Sequence, residues 1–262
     1  MSNKNDLLAV NARAIGSMML PGFCKRCWWR EHARKQEWPY QRPMPGVFQH
    51  IHRVAGDTMQ LGGPFSAGIC AHLGKPGWEA SAKHANPKTT HWTNYCMGVA
   101  TERGKLVVRG TPDVLMINGK EALLIDFKTS DKNPASDGWF KAYQGQVSVY
   151  REIGLALGLY EACTIGLVYL NPQTVARARE VGKVVRAGGG LFESTGCAFQ
   201  ALAPVTVEVA PVELGMYYEQ AMELLTSSEA PADGNAVCMK CYNYLTLYRE
   251  MGLEYRAAVG PA

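Results

Sequence analysis

Asp113, Asp126 and Lys128 lie close together near the middle of the chain. Two carboxylates and an ammonium on otherwise apolar strand sequence need a reason, because buried charges are costly unless they pair or bind metal. Their chemistry suits a divalent-cation site. Oxygen ligands favour Mg²⁺ or Mn²⁺, and a lysine beside the cation can orient water or stabilise developing charge. An Asp–Lys ion pair at a strand end is the purely structural alternative. A second group is built from sulfur. Cys24 and Cys27 near the start, and Cys238 and Cys241 near the end, form two C-x-x-C pairs. That spacing brings two thiolates to one metal, and four thiolates make a zinc site or an iron–sulfur cluster. With the pairs separated by nearly the whole chain, a metal would join the N-terminal segment (about 20–42) to the C-terminal one (about 230–245) as a clasp. His32 is a lesser candidate ligand. Cys70, Cys96, Cys163 and Cys197 stand singly and read as small buried hydrophobes.

The elements that must position the charged group can be read from periodicity. Leu106–Arg109, Asp113–Ile117 and Glu121–Lys128 have strand character, and Asn118-Gly119 is a favoured two-residue hairpin turn. With those two as the loop, Ile117 pairs with Lys120, Asp113 lies opposite Leu124, and Thr111 lies opposite Asp126. Asp113, Asp126 and Lys128 then share one face, the two carboxylates as diagonal neighbours roughly 7–8 Å apart. Val114, Met116, Leu123, Ile125 and Phe127 form the opposite, apolar face, expected to pack on helices. A long helix from about Gly138 to Gly158 and a strand over Thr164–Leu170 follow. Further elements are a strand at Val205–Val209 and a helix at Glu213–Leu225, with earlier helices over 6–20 and 47–61. Residues 62–100 carry little periodic signal. Gly188–Gly190 lacks the Lys-Ser/Thr of a phosphate-binding P-loop.

The chain has 262 residues, 47% apolar and 19% charged, enough for one α/β domain over 1–262 with a sizeable core. Its net charge of +4 tolerates a polyanion without proving one. No apolar run approaches a membrane span, and Asp6 and Arg13 interrupt the N-terminal stretch that a secretory signal would need. Membrane, fibrous and secreted classes are excluded, and a cytoplasmic location with reduced thiols is expected. Two basic stretches are candidate phosphate contacts. One is Lys25, Arg26, Arg30, Arg34 and Lys35 interleaved with Trp28 and Trp29; the other is the loop bearing Arg177, Arg179, Lys183 and Arg186.

Gly110-Thr-Pro-Asp113 followed by Ile125-Asp126-Phe127-Lys128 resembles the PD-(D/E)XK nuclease signature in its RecB-like branch. The branch's next motif, Q-x-x-x-Y, is matched by Gln146 and Tyr150, one turn apart on one helix face with Tyr143 beside them. The cysteines are similar to those of the CRISPR-adaptation-type and AddB-type members, whose iron–sulfur cluster is closed by N- and C-terminal cysteines. Those members place one cysteine early and three late, whereas this chain has two and two. The resemblance covers roughly residues 20–245. It implies a restriction-endonuclease-like α/β core, with a mixed central sheet flanked by helices, and a Mg²⁺- or Mn²⁺-dependent deoxyribonuclease acting exonuclease-like on single-stranded or end-containing DNA. Catalysis would fall to Asp113, Asp126, Lys128, Gln146 and Tyr150, with His52 on an early helix completing the metal shell and His50 and Asp57 behind it. The cation would be held by His52, Asp113, Asp126 and Phe127, and a 4Fe–4S cluster, or zinc, by Cys24, Cys27, Cys238 and Cys241. DNA is the implied partner, alongside proteins of recombination, repair or CRISPR adaptation. The competing classes are a catalytically silent DNA-binding or assembly subunit that keeps fold and clasp, and a zinc-stabilised regulator.

Overall fold

The computed structural model describes residues 8–35, 46–84, 95–130, 134, 136–170, 172–174, 199–201, 204–231, 238 and 241. It is a mixed α/β fold with two mixed sheets flanked by helices. In chain order the strands are β1 (Leu8–Asn11), β2 (Lys83–His84), β3 (Cys96–Thr101), β4 (Gly104–Arg109), β5 (Val114–Asn118), β6 (Glu121–Thr129), β7 (Ala162–Leu170), β8 (Pro172–Thr174), β9 (Phe199–Ala201) and β10 (Val205–Glu208). The helices are α1 (Ala12–Ser17), α2 (Lys25–His32), α3 (Gly46–Leu61), α4 (Pro64–His72), α5 (Trp78–Ser81), α6 (Phe140–Ala156) and α7 (Gly215–Thr226).

The larger sheet has the order β10-β7-β6-β5-β2, with β6 and β7 parallel and joined by α6, and the other neighbours antiparallel. Alternation along β5 and β6 sorts their side chains into two cores. Val114, Met116, Leu123, Ile125 and Phe127 pack with Ile51, Ala55 and Met59 of α3 and Ile69 of α4. Leu115, Ala122 and Leu124 face the other way, toward Val147, Val149 and Ile153 of α6. The expected division of faces is therefore observed. The smaller sheet, β1-β4-β3, adds Val10, Met97, Leu106 and Val108 to the second core. Covered from several directions, α6 buries residues around much of its circumference.

The hairpin register differs from the expectation by one step on each strand. Asn118 pairs with Glu121 and Val114 with Ile125, so the loop residues are Gly119 and Lys120. Gly119 has φ +62 and Lys120 has no positive φ. A glycine alone at positive φ in the first loop position is the II′ pattern, which suits the twist of the flanking strands as well as the I′ turn that Asn-Gly would make. Continuing the ladder by one pair sets Asp113 directly opposite Asp126, not diagonal to it.

One other expectation is corrected. Residues 8–11 are a strand, not part of a helix over 6–20: Leu8 to Asn11 pair in parallel with Leu106 to Arg109. The short helix α1 starts afterwards, where the Asn11 side chain caps it by accepting from the Ala14 amide at 2.8 Å. The stretch 62–100, unassigned from sequence, supplies α4, α5, β2 and β3. Among the described residues no helix is long and apolar enough to cross a membrane.

Helix α1 meets α6 at glycines. A Cβ on Gly16 would lie 2.2 Å from the Ala142 carbonyl oxygen, and one on Gly145 would lie 2.9 Å from the Gly16 Cα. Only hydrogen at both positions lets the two backbones approach this closely.

Candidate metal centre and candidate clasp

The first site forms where β5 and β6 reach the end of the sheet nearest α3 and the N-terminal half of α6. Asp113 immediately precedes β5, and its Oδ2 accepts the Phe127 backbone amide at 2.7 Å. This bond fixes the carboxylate between the two strands. Asp126 is 4% exposed, which is unusual for an acid. Its Oδ2 forms an ion pair with Lys128 Nζ. Lys128 Nζ also donates to Gln146 Oε1 at 3.1 Å and lies 4.2 Å from the Tyr143 ring centroid. Gln146 in turn donates to the Tyr150 hydroxyl at 2.6 Å. The i, i+4 spacing on α6 thus continues the chain of contacts from β6 into the helix.

His52 enters from α3 on the other side of the sheet. Its Nε2 lies 2.9 Å from Thr129 Oγ1, and its Nδ1 lies 3.9 Å from Asp113 Oδ2. His52, Asp113, Asp126, Lys128, Gln146 and Tyr150 are therefore brought together from four elements or their ends. Phe127 is fully buried in the core on the α3 side, so any ligation by this residue would come from its backbone. Asp57 is exposed, and the side chain of His50 lies outside what is described. Sequence reasoning missed Thr129, although its place next to Lys128 on a strand that ends at the site was a usable signal.

The electrostatics fit a missing positive charge. Burial, followed by the facing Asp126 carboxylate, pushes the Asp113 carboxyl up to about 7, against the opposing pull of the Phe127 amide and Lys128. Burial also holds the His52 imidazole below its usual pKa, favouring the neutral form that ligates metals. Burial raises the Tyr150 phenol, so it stays protonated as a hydrogen-bonding group. The acidic pair and a neutral imidazole make a donor set that fits a hard divalent cation.

The second site joins α2 to the C-terminal segment. Cys24 caps α2, Cys27 lies in its first turn, and their sulfurs approach those of Cys238 and Cys241. Separations are 3.7 Å for Cys24–Cys241, 3.4 Å for Cys27–Cys238 and 3.1 Å for Cys27–Cys241, and all four sulfurs lie within 4.8 Å of one another. Four cysteines so placed can hold a metal ion. Burial pushes the Cys24 thiol up to about 11, and Cys27 rises further, first through its contact with Cys241 and then through burial. A bound cation reverses such shifts, because it is the thiolates that ligate. His32 lies outside this group and packs its ring 4.6 Å from that of Trp28.

Trp28 and Trp29 support the clasp and are not a surface for stacking bases. They are 4% and 6% exposed, and their indole nitrogens donate to the carbonyls of Ala14 at 3.0 Å and Ser227 at 3.2 Å. Arg26 Nε donates to the Pro231 carbonyl at 3.0 Å, and the Arg34 guanidinium covers the Trp29 ring at 4.7 Å. Arg177, Arg179, Lys183 and Arg186 lie outside the described residues.

No protein-family model and no curated protein matches the chain. It is similar in arrangement to the crystal structure of SSO0001, with 14% identity and a TM-score of 0.39 over 87% of this chain and 81% of that one. At that level of likeness, the two sites stand on their own geometry.

Proposed function

We propose that the chain is a metal-dependent deoxyribonuclease with a restriction-endonuclease-like core, and that His52, Asp113, Asp126, Lys128, Gln146 and Tyr150 are its active site. One observation carries the reading. Asp113 and Asp126 stand opposite each other at a strand end, and the ammonium of Lys128 pairs with the buried Asp126 carboxylate. A purely structural ion pair needs one carboxylate, not two.

In this reading Asp113, Asp126 and the neutral His52 would hold Mg²⁺ or Mn²⁺, which would supply Lewis acidity toward a phosphoryl oxygen and acidify a water molecule. The Phe127 amide and Thr129 orient Asp113 and His52 for that task. Lys128 places an ammonium where negative charge grows on the phosphate, and Gln146, steadied by Tyr150, keeps it there. Single-stranded or end-containing DNA is the proposed substrate, and proteins of recombination, repair or CRISPR adaptation are the proposed partners.

The clasp supports a metal-stabilised fold. Its four thiolates suit the 4Fe–4S cluster that the sequence resemblance implies. The sulfur spacing favours zinc as a second reading. Four thiolates at about 2.3 Å from one ion are separated by about 3.8 Å, whereas a cubane seats each sulfur on its own iron and spreads them wider.

A cleavage assay with Mg²⁺ or Mn²⁺ on labelled single-stranded and blunt duplex DNA tests the nuclease reading. Wild-type protein should cut, and a folded Asp126→Ala variant should lose activity by orders of magnitude. Near-native cutting by that variant, or none by metal-replete wild type, overturns it.

A further inference from the structure

Most tryptophans of the described residues are buried: Trp28, Trp29 and Trp78 are each at most 9% exposed. Trp139 is 52% exposed, the one aromatic among the large apolar side chains exposed in the described residues. A scattered exposed side chain needs no explanation in itself. The position of this one does.

Trp139 is the N-cap of α6, in helical φ/ψ, and its carbonyl accepts the Tyr143 amide at 3.1 Å. Residues 139, 143, 146 and 150 follow the i, i+4, i+7, i+11 spacing of a single helix face. Three of the four belong to the charged site: the Tyr143 ring lies under Lys128, Gln146 accepts from Lys128, and Tyr150 accepts from Gln146. Exposure falls along this stripe, from Trp139 at 52% to Tyr150 at 8%. The mount is also held in place. The Trp139 amide donates to Asp137 Oδ1 at 2.9 Å, and Asp137 is itself 8% exposed.

We propose that Trp139 is a binding platform for an unpaired nucleobase next to the cleavage site, a proposal that rests on the nuclease reading and gives it strand selectivity. Trp139 lies four residues, or about 6 Å of helix rise, before Tyr143, whose ring is 4.2 Å from Lys128 Nζ, and that rise is on the order of one nucleotide step. A phosphate at Lys128 would thus carry its neighbouring base onto the indole. Base–aromatic stacking tolerates any base but requires an exposed π-face, which a paired and stacked duplex interior does not offer. The substrate class is therefore a single strand.

The test is fluorescence anisotropy on an oligothymidine single strand and a blunt duplex without divalent cation, using wild type, Trp139→Ala and Trp139→Phe. Trp139→Ala should weaken single-strand binding by about tenfold or more, Trp139→Phe should retain most of it, and duplex binding should change little. Equal losses on both substrates, or no loss on the single strand, overturn the platform. Cleavage by wild type in Mn²⁺ is scored separately, so a cutting enzyme indifferent to Trp139→Ala sinks this proposal and leaves the nuclease reading standing.

Discussion

Lys128 on β6 and Gln146 on α6 are joined by a 3.1 Å hydrogen bond that spans the parallel crossover between β6 and β7. Without it the lysine has only its ion pair with Asp126 and the Tyr143 ring to direct it. Gln146→Ala should slow DNA cleavage by about ten- to a hundredfold, the usual cost of losing an orienting partner, with little loss of stability. Tyr150→Phe removes only the partner of Gln146 and should cost less. Single-turnover rates at saturating DNA decide it, and a wild-type rate in Gln146→Ala removes glutamine from the mechanism.

The clasp gives a thermal prediction. Cys27→Ser should lose bound metal and lower Tm by on the order of 10 °C, because binding energy at a site made by folding is folding energy. Elemental analysis and the visible spectrum identify the occupant. Stoichiometric iron with broad visible absorbance supports the cluster, and one colourless zinc per chain supports the single ion. Protein with neither metal and an unchanged Tm in Cys27→Ser refutes the clasp.

The close approach of α1 and α6 is sensitive to one methyl group. In Gly16→Ala the new Cβ would meet the backbone oxygen of Ala142 at 2.2 Å, and backbone cannot swing away as a side-chain tip can. A loss of about 1–3 kcal/mol is expected from such overpacking, read by denaturant unfolding with the m-value unchanged. Native-like stability in the variant would mean that the helices separate freely.

A half-buried acid away from both sites supplies a pH test. Tyr218 donates to Glu152 Oε2 at 2.7 Å. Burial, more than the nearby Glu213, raises the Glu152 carboxyl above its ordinary pKa, and the Tyr218 bond only partly opposes it. A group whose folded pKa is raised stabilises below its unfolded pKa and loses that contribution as pH rises through the folded one. Glu152→Gln keeps an acceptor for Tyr218 without titrating. Its Tm should therefore gain on wild type as pH climbs from about 4 to 8. Parallel Tm profiles would rule out a raised Glu152 pKa in the folded state.

What the sequence revealed follows from which interactions are local. The two faces of β5 and β6 were legible because alternation has a period of two, and even a mistaken turn left every residue on its expected side. The pairing of Asp113 with Asp126 was not legible, since Asn118-Gly119 and Gly119-Lys120 are both acceptable loops and the choice depends on the whole ladder. Leu7, Leu8 and Val10 fit a helical period, so local sequence hides strand β1, whose partner β4 lies roughly a hundred residues away. Gln146 and Tyr150 were found by their spacing. Trp139 lies on the same stripe but belongs to no motif, and only its exposure singles it out.

The clasp also sets an order of events during synthesis. Cys27 and Cys238 are 211 residues apart, so the first pair of thiols leaves the ribosome long before its partners exist. Until then, α2 must pack its tryptophans beside two unmatched sulfurs that are open to oxidation or to a stray ion. Closure of the clasp therefore waits on the synthesis of 211 further residues after Cys27, and chains that bind no metal there would keep the two cysteine-bearing segments untied while the charged site assembles.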